Sequence, residues 1–195
     1  MTQNDFIKYY SIADAEPVDP SKKAIPAESF SSAIEEFVNQ RFPAAVRVKC
    51  GNVTAQSILV CCEYVAYFFK TLITDIYGRV MLNIEIHSDG KGLYVDIHTD
   101  GELPLTDKEL RQLIRLARNG GFEFYPEENG IRLSTGFTPT VARRVYALSI
   151  ADGRRIMVGK MMEIFSCGEL LNTDPTPRPE PKPITKKVKN RKSKS

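Results

Sequence analysis

The sequence predicts an α+β fold, a two-layer sandwich in which helices cover one face of a mixed sheet. The apolar segment Val53–Tyr77 has the composition of a buried helix, and it is too interrupted by charge to span a bilayer. Two runs of alternating apolar and polar residues, Val80–His87 and Leu93–His98, flank a glycine-rich turn and predict a hairpin. Thr106 and Glu109 then have the spacing of a capping box at the start of another helix.

The elements before the apolar segment are shorter. Residues 1–29 are interrupted by prolines and predict an irregular segment. Apolar residues at helical spacing predict a first helix over Phe30–Phe42, with Ser29 as its N-cap. Alternation over Ala45–Cys50 predicts a half-buried strand before the long helix.

The elements after the hairpin complete the sandwich. They are predicted as a helix over Thr106–Asn119, a short hairpin of Phe122–Tyr125 with Gly130–Leu133, a helix from Thr138 to about Ala151, and a last strand over Arg154–Phe165. The folded domain is therefore expected to occupy residues 30–168.

Charge separates the domain from the C-terminal residues. The chain has 195 residues and a net charge of +3, of which residues 172–195 carry +6 (eight Lys/Arg against two Asp/Glu) and residues 1–171 carry −3. Residues 169–195 thus predict a proline-rich spacer followed by a disordered basic tail. Such a tail binds nucleic acid or an anionic membrane surface through phosphates, or it simply keeps the protein soluble, and these interpretations stay open.

The cellular compartment and the lack of a metal site are predicted from features that the sequence does not contain. The four cysteines lack the spacing of a metal site, and no segment has the character of a signal peptide or a membrane span. We therefore expect a cytoplasmic protein with reduced thiols, no metal and no membrane span.

The order of elements resembles the ATP-binding domain shared by histidine kinases, gyrase, the mismatch-repair protein MutL and a large heat-shock chaperone, called the GHKL or Bergerat fold. The likeness covers about Phe30 to Phe165. In this family the long helix has a pattern similar to E-x-x-x-N-A-x-K, which Glu63 and Lys70 match, whereas Tyr67 stands at the position of the metal-binding Asn. A phenol is a poor ligand for a hard cation such as Mg²⁺.

Two further segments carry the resemblance. Asp100-Gly101 follows the hairpin where the family has D-x-G-x-G, whose Asp binds adenine. Thr135-Gly136 lies where the family has the phosphate-binding G-x-G-x-G, with one of three glycines retained. The resemblance thus implies a degenerate ATP site at Asp100, Gly101, Thr135 and Gly136, and no cofactor is expected unless ATP with Mg²⁺ still binds.

Each of these residues also has a simpler interpretation. Glu63 is a general base for hydrolysis or a carboxylate paired with Lys70 or Arg143. Asp100-Gly101 touches a purine or only turns the chain. Thr135-Gly136 binds an anion at a helix N-terminus or only leads into that helix.

Three functions follow from these interpretations. The first is a non-catalytic regulatory or adaptor module in signal transduction, with a protein partner and a degenerate histidine-kinase-like site. The second is an ATP-binding enzyme with an atypical metal site, in which Glu63 is the base and Asp100 contacts adenine. The third is a nucleic-acid accessory protein that binds through the basic tail.

Overall fold

The computed structural model describes residues 21–138 and 147–166, which form seven strands and four helices. The strands are β1 Lys23–Pro26, β2 Val46–Cys50, β3 Ser57–Val60, β4 Leu82–Ser88, β5 Gly92–His98, β6 Glu123–Glu127 and β7 Gly130–Gly136. The helices are α1 Ala27–Arg41, α2 Cys62–Ile76, α3 Asp107–Gly120 and α4 Ile150–Ser166. Within these ranges, no helix is long and apolar enough to cross a membrane.

The main sheet has five strands in the order β2-β4-β5-β7-β6 and is mixed, as predicted. β2 pairs with β4 in parallel, and the other neighbours are antiparallel. A two-stranded sheet of β1 and β3 lies beside it. Strand alternation places the apolar side chains of the main sheet on one face and leaves a polar, open face on the other.

The helices bury the apolar face of the sheet. Phe30, Phe68, Phe69 and Phe165 are among the largest fully buried side chains, and they come from three different helices. The Phe165 ring lies 5.0 Å from the Phe37 ring, centroid to centroid, and so fixes the end of α4 against α1. Burial of each such side chain contributes about 1.5–3 kcal/mol, so this cluster supplies much of the stability of the helical layer.

The long helix is shorter than predicted. Only Cys62–Ile76 is helical, whereas Ser57–Val60 forms β3 and pairs with Lys23–Pro26. The segment expected to be irregular at residues 1–29 therefore ends in a strand and the start of α1. Ser29 lies inside α1 and does not cap it; its hydroxyl donates to the carbonyl of Ile150 at 2.7 Å.

The last element is a helix and not a strand. α4 buries Met157, Met161, Ile164 and Phe165, whose spacings of four, three and one are helical. The helix predicted from Thr138 falls largely on residues 139–146, which lie outside the described residues. Its predicted end is wrong, because Ala147 forms an isolated bridge with Ala24 and α4 begins only at Ile150.

Candidate functional site

The structure places the predicted nucleotide-binding residues at opposite ends of the sheet. In the β5–β7 register, His98 pairs with Gly130 and Gly92 pairs with Gly136. Asp100 follows the His98 end of β5, whereas Gly136 lies at the other end. Six strand residues of about 3.4 Å each separate these ends by roughly 20 Å. Asp100-Gly101 and Thr135-Gly136 are therefore not brought together around one ligand.

The loop after β5 is held by its own hydrogen bonds. The buried Thr99 hydroxyl donates to the carbonyl of Gly101 at 2.5 Å, and the Thr99 N–H donates to the carbonyl of Asn129 at 3.3 Å. Arg79 donates to the carbonyl of Pro104 at 3.1 Å and ties the loop to the end of α2. Asp100 itself is exposed. These hydrogen bonds hold the loop that connects β5 to α3.

The N-terminus of α3 is capped by its own side chains. The Glu109 N–H donates to the Thr106 hydroxyl at 3.3 Å, and the Glu109 carboxylate accepts from the Thr106 N–H at 2.7 Å. This is the predicted capping box. A carboxylate already occupies the positive end of the helix dipole, and Asp107 adds a second negative charge in the first turn. An incoming phosphate would have to displace the first and would be repelled by both.

Thr135 and Gly136 belong to a strand. Thr135 pairs with Leu93 on β5, and a Cβ placed on Gly92 would clash with the Thr135 carbonyl oxygen. The glycine at position 92 therefore permits close approach of the two strands. Beyond Gly136 the chain runs to Thr138, whose N–H donates to the Ser57 carbonyl at 2.7 Å.

Glu63 is exposed, which contradicts the expectation of a buried carboxylate in the middle of a helix. The helix begins at Cys62, so Glu63 lies in its first turn and points to solvent together with Tyr67. Lys70, a predicted partner of Glu63, donates to the carbonyl of Ile164 at 2.9 Å. Arg143, the other candidate partner, lies outside the described residues.

The charge of Glu63 acts on α4 instead. The pKa of Lys160 is raised, mainly by the hydrogen bond that Lys160 donates to Glu163, with a smaller contribution from Glu63. Glu63 therefore contributes to a solvent-facing cluster of charges between two helices, which is not the environment of a general base.

The open face of the sheet carries an ionic network that the sequence did not reveal. Asp96 on β5 accepts a hydrogen bond from Arg132 Nε at 2.6 Å and is 2.8 Å from His87 Nε2. The His87 ring stacks on Tyr94 at 5.4 Å. Burial alone would raise the pKa of Asp96, but the hydrogen bonds from Arg132 and His87 outweigh it and hold the pKa below its usual value. Asp96 is thus an ionised structural carboxylate with both oxygens engaged.

An open groove of about 620 Å³ lies at the edge of the sheet, where α3 ends and β6 begins. Its described lining includes Lys22, Arg118 and Tyr125 and contains none of the five predicted site residues. Residues 21–138 and 147–166 also contain no cluster of three or more His, Cys, Asp or Glu that could hold a metal ion.

Comparisons with known proteins find likeness in structure only. No protein-family model and no curated protein sequence matches the chain. Similar solved structures include the cytoplasmic segment of histidine kinase QseC, with 13% identity over 69% of this chain and 89% of that chain and a TM-score of 0.41. The Acinetobacter baumannii histidine kinase AdeS has 8% identity over 69% of this chain and 77% of that chain, with a TM-score of 0.46.

A third similar structure is the ATP binding domain of PrrB from Mycobacterium tuberculosis, with 12% identity over 61% of this chain and 97% of that chain and a TM-score of 0.42. With TM-scores below 0.5 and identities of 13% or less, these likenesses assign neither a family nor a function to this chain.

Proposed function

We propose that the protein is a non-catalytic regulatory or adaptor module that works by binding a protein partner and that its nucleotide site is degenerate. The observation that carries this proposal is the separation of Asp100 from Gly136, which lie at opposite ends of β5 and β7 and do not converge on one nucleotide.

Two further observations support a degenerate site. At the N-terminus of α3, the helix that follows Asp100, Thr106 and Glu109 engage two of the backbone N–H groups and add negative charge. Glu63 is exposed to solvent in the first turn of α2 and is not buried in the middle of a helix. ATP and Mg²⁺ are therefore not expected to be cofactors of this chain.

The test is a thermal titration with ATP and Mg²⁺. A ligand present at a hundred times its Kd stabilises the folded state by about 2.7 kcal/mol, which raises the melting temperature of a domain of this size by roughly 5–10 °C. We expect a shift of less than about 1 °C at about 5 mM ATP, with or without Mg²⁺. A Mg²⁺-dependent shift of several degrees would overturn the proposal in favour of an ATP-binding enzyme.

The variant Asp100→Ala makes the titration specific. If ATP used the predicted adenine contact, this substitution would abolish the shift, while Glu85→Ala at an exposed position in the middle of β4 would leave it intact. An adaptor requires in addition a protein that copurifies with the full chain in stoichiometric amount. Failure to recover any such protein from the native source would contradict the proposed binding of a protein partner.

A further inference from the structure

The exposed side of α3 carries a row of cations along the whole helix. Lys108, Arg111, Arg115 and Arg118 are all exposed, and their spacings of three, four and three place them on one stripe. They extend over about 15 Å of helix. Lys22 continues the row past the helix end, since it lines the same groove as Arg118. We call these five residues the α3 basic row.

The row is available to an outside ligand. Among the residues that the structure describes, none of the five takes part in a side-chain ion pair. Arg111 donates to the backbone carbonyl of Asp107 at 3.2 Å, which leaves its terminal nitrogens toward solvent. The opposite face of α3 buries Leu113, Leu116 and Ala117, so packing directs the cations away from the core.

The positive charge of the α3 basic row is local, because the other residues between positions 1 and 171 are acidic on balance. Without the five cations, residues 1–171 contain 14 Lys/Arg against 22 Asp/Glu, a net charge of −8. Cations placed together on an otherwise acidic body give one positive surface to which a polyanion is directed. The basic residues 172–195 supply a second positive element in the same chain.

We infer that the α3 basic row binds the phosphate backbone of a nucleic acid, which is a function beyond the proposed protein-binding role. In double-stranded DNA each strand carries one phosphate per about 3.4 Å of the helix axis, so a row about 15 Å long can contact several phosphates. Three of the four helical cations are arginines, which bind phosphate through two parallel hydrogen bonds.

The surroundings of the row favour nucleic acid over other polyanions. No large apolar side chain is exposed on α3, which lies wholly within the described residues, and an anionic membrane surface or a protein helix normally requires such anchors. Tyr125, 46% exposed, lines the groove with Arg118 and offers a ring on which a base can stack.

The experiment is fluorescence anisotropy of the full-length protein with a labelled single strand of about 20 nucleotides over about 25–200 mM NaCl. The variant Arg111→Gln/Arg115→Gln/Arg118→Gln should lower the slope of log K against log[salt] by about 2, at about 0.7 per lost phosphate contact. Its affinity at about 50 mM NaCl should fall roughly tenfold or more. The matched control Arg47→Gln/Lys49→Gln removes exposed cations from β2 and should leave slope and affinity unchanged.

Two additional variants test whether charge alone is sufficient and separate binding by the row from binding by the tail. Replacement of the same arginines by lysine should retain the slope, because the charge is kept. Neutralisation of Lys186, Lys187 and Lys189 should weaken binding without removing the difference between the row variant and the parent. Circular dichroism and melting temperature confirm that each variant is folded.

Two outcomes overturn the inference. One is an unchanged salt slope in the glutamine variant, which would place the phosphate contacts elsewhere in the chain. The other is binding to phosphatidylserine vesicles without binding to the oligonucleotide. Neither outcome affects the thermal titration with ATP, so the inference and the proposed function can fail independently.

Discussion

The packing of α4 on α1 can be tested with two glycines of the same helix. Gly153 is buried, and a Cβ placed on it would lie 3.0 Å from Ile25 Cγ2, 3.1 Å from Pro26 Cδ and 3.2 Å from Ser29 Cβ. Gly159 is exposed, and a Cβ placed on it would meet no atom within 4 Å. Gly153→Ala and Gly159→Ala therefore each add one methyl group to α4, the first at a packed position and the second at an open one.

The expected energies differ in sign. Alanine in place of an exposed helical glycine stabilises by about 0.5–1 kcal/mol, so Gly159→Ala should raise the free energy of unfolding. At Gly153 the same gain is opposed by overpacking, which costs about 1–3 kcal/mol. The start of α4 cannot easily retreat, because the Ser29 hydroxyl is hydrogen-bonded to the Ile150 carbonyl. Gly153→Ala should therefore be neutral or destabilising by up to about 2 kcal/mol.

Urea denaturation and differential scanning calorimetry of the two variants measure this contrast. The variants should differ by about 1–3 kcal/mol, or roughly 2–12 °C in melting temperature for a domain of this size. Equal stabilisation by both substitutions would refute the reasoning, because it would mean that Gly153 does not pack against β1 and the first turn of α1. The two variants have the same composition, so each is the control of the other.

Three further predictions concern single interactions. Thr106→Ala should destabilise the protein by about 1 kcal/mol in thermal or urea unfolding, since it removes the N-cap of α3. Asn39→Ala should cost about 1–3 kcal/mol and increase aggregation in light scattering, because Asn39 bonds both the N–H and the carbonyl of Val48, each at 2.9 Å. Asp96 has a lowered pKa in the folded state, so its contribution is present above the unfolded pKa of about 3.9 and is lost as pH falls through the folded value. Unfolding free energies of Asp96→Asn should accordingly lie below those of the parent at about pH 7 and approach them near pH 3, whereas a constant gap would contradict the ionic role of its partner Arg132.

Local signals predict much of the fold. The hairpin of β4 and β5 and the capping box at Thr106 each depend on residues close in sequence, so they are visible without tertiary information. The error at Ser57–Val60 has a physical cause: four consecutive apolar or small residues suit a short buried strand as well as a buried helix, and only pairing with Lys23–Pro26 decides between them. The prediction of a last strand is wrong because the apolar spacing of Met157, Met161 and Ile164 is that of a helix.

The candidate site is less predictable than the fold. The positions of Asp100 and Gly136 relative to each other depend on which strand pairs with β5 and in what register, which no local pattern contains. The same register brings Arg132 opposite Asp96, so the network on the open face is hidden from sequence for the same reason. The four helical members of the α3 basic row, in contrast, can be recognised from helical spacing alone once the bounds of α3 are known.

The two outer strands of the main sheet have different capacities for growth. On β2, the N–H groups of Val46, Val48 and Cys50 donate to Phe42, Asn39 and Glu35 respectively, and the Val48 carbonyl accepts from Asn39. Within the described residues β6 pairs only with β7, and its Pro126 lacks an N–H. Because the β2 edge is covered, a further strand can be added to this sheet only at the β6 edge. Two copies that pair through β6 would therefore form a dimer in which the only free edges are the two covered β2 strands. Repeated strand addition into a fibre would stop there, because the dimer offers no further open edge.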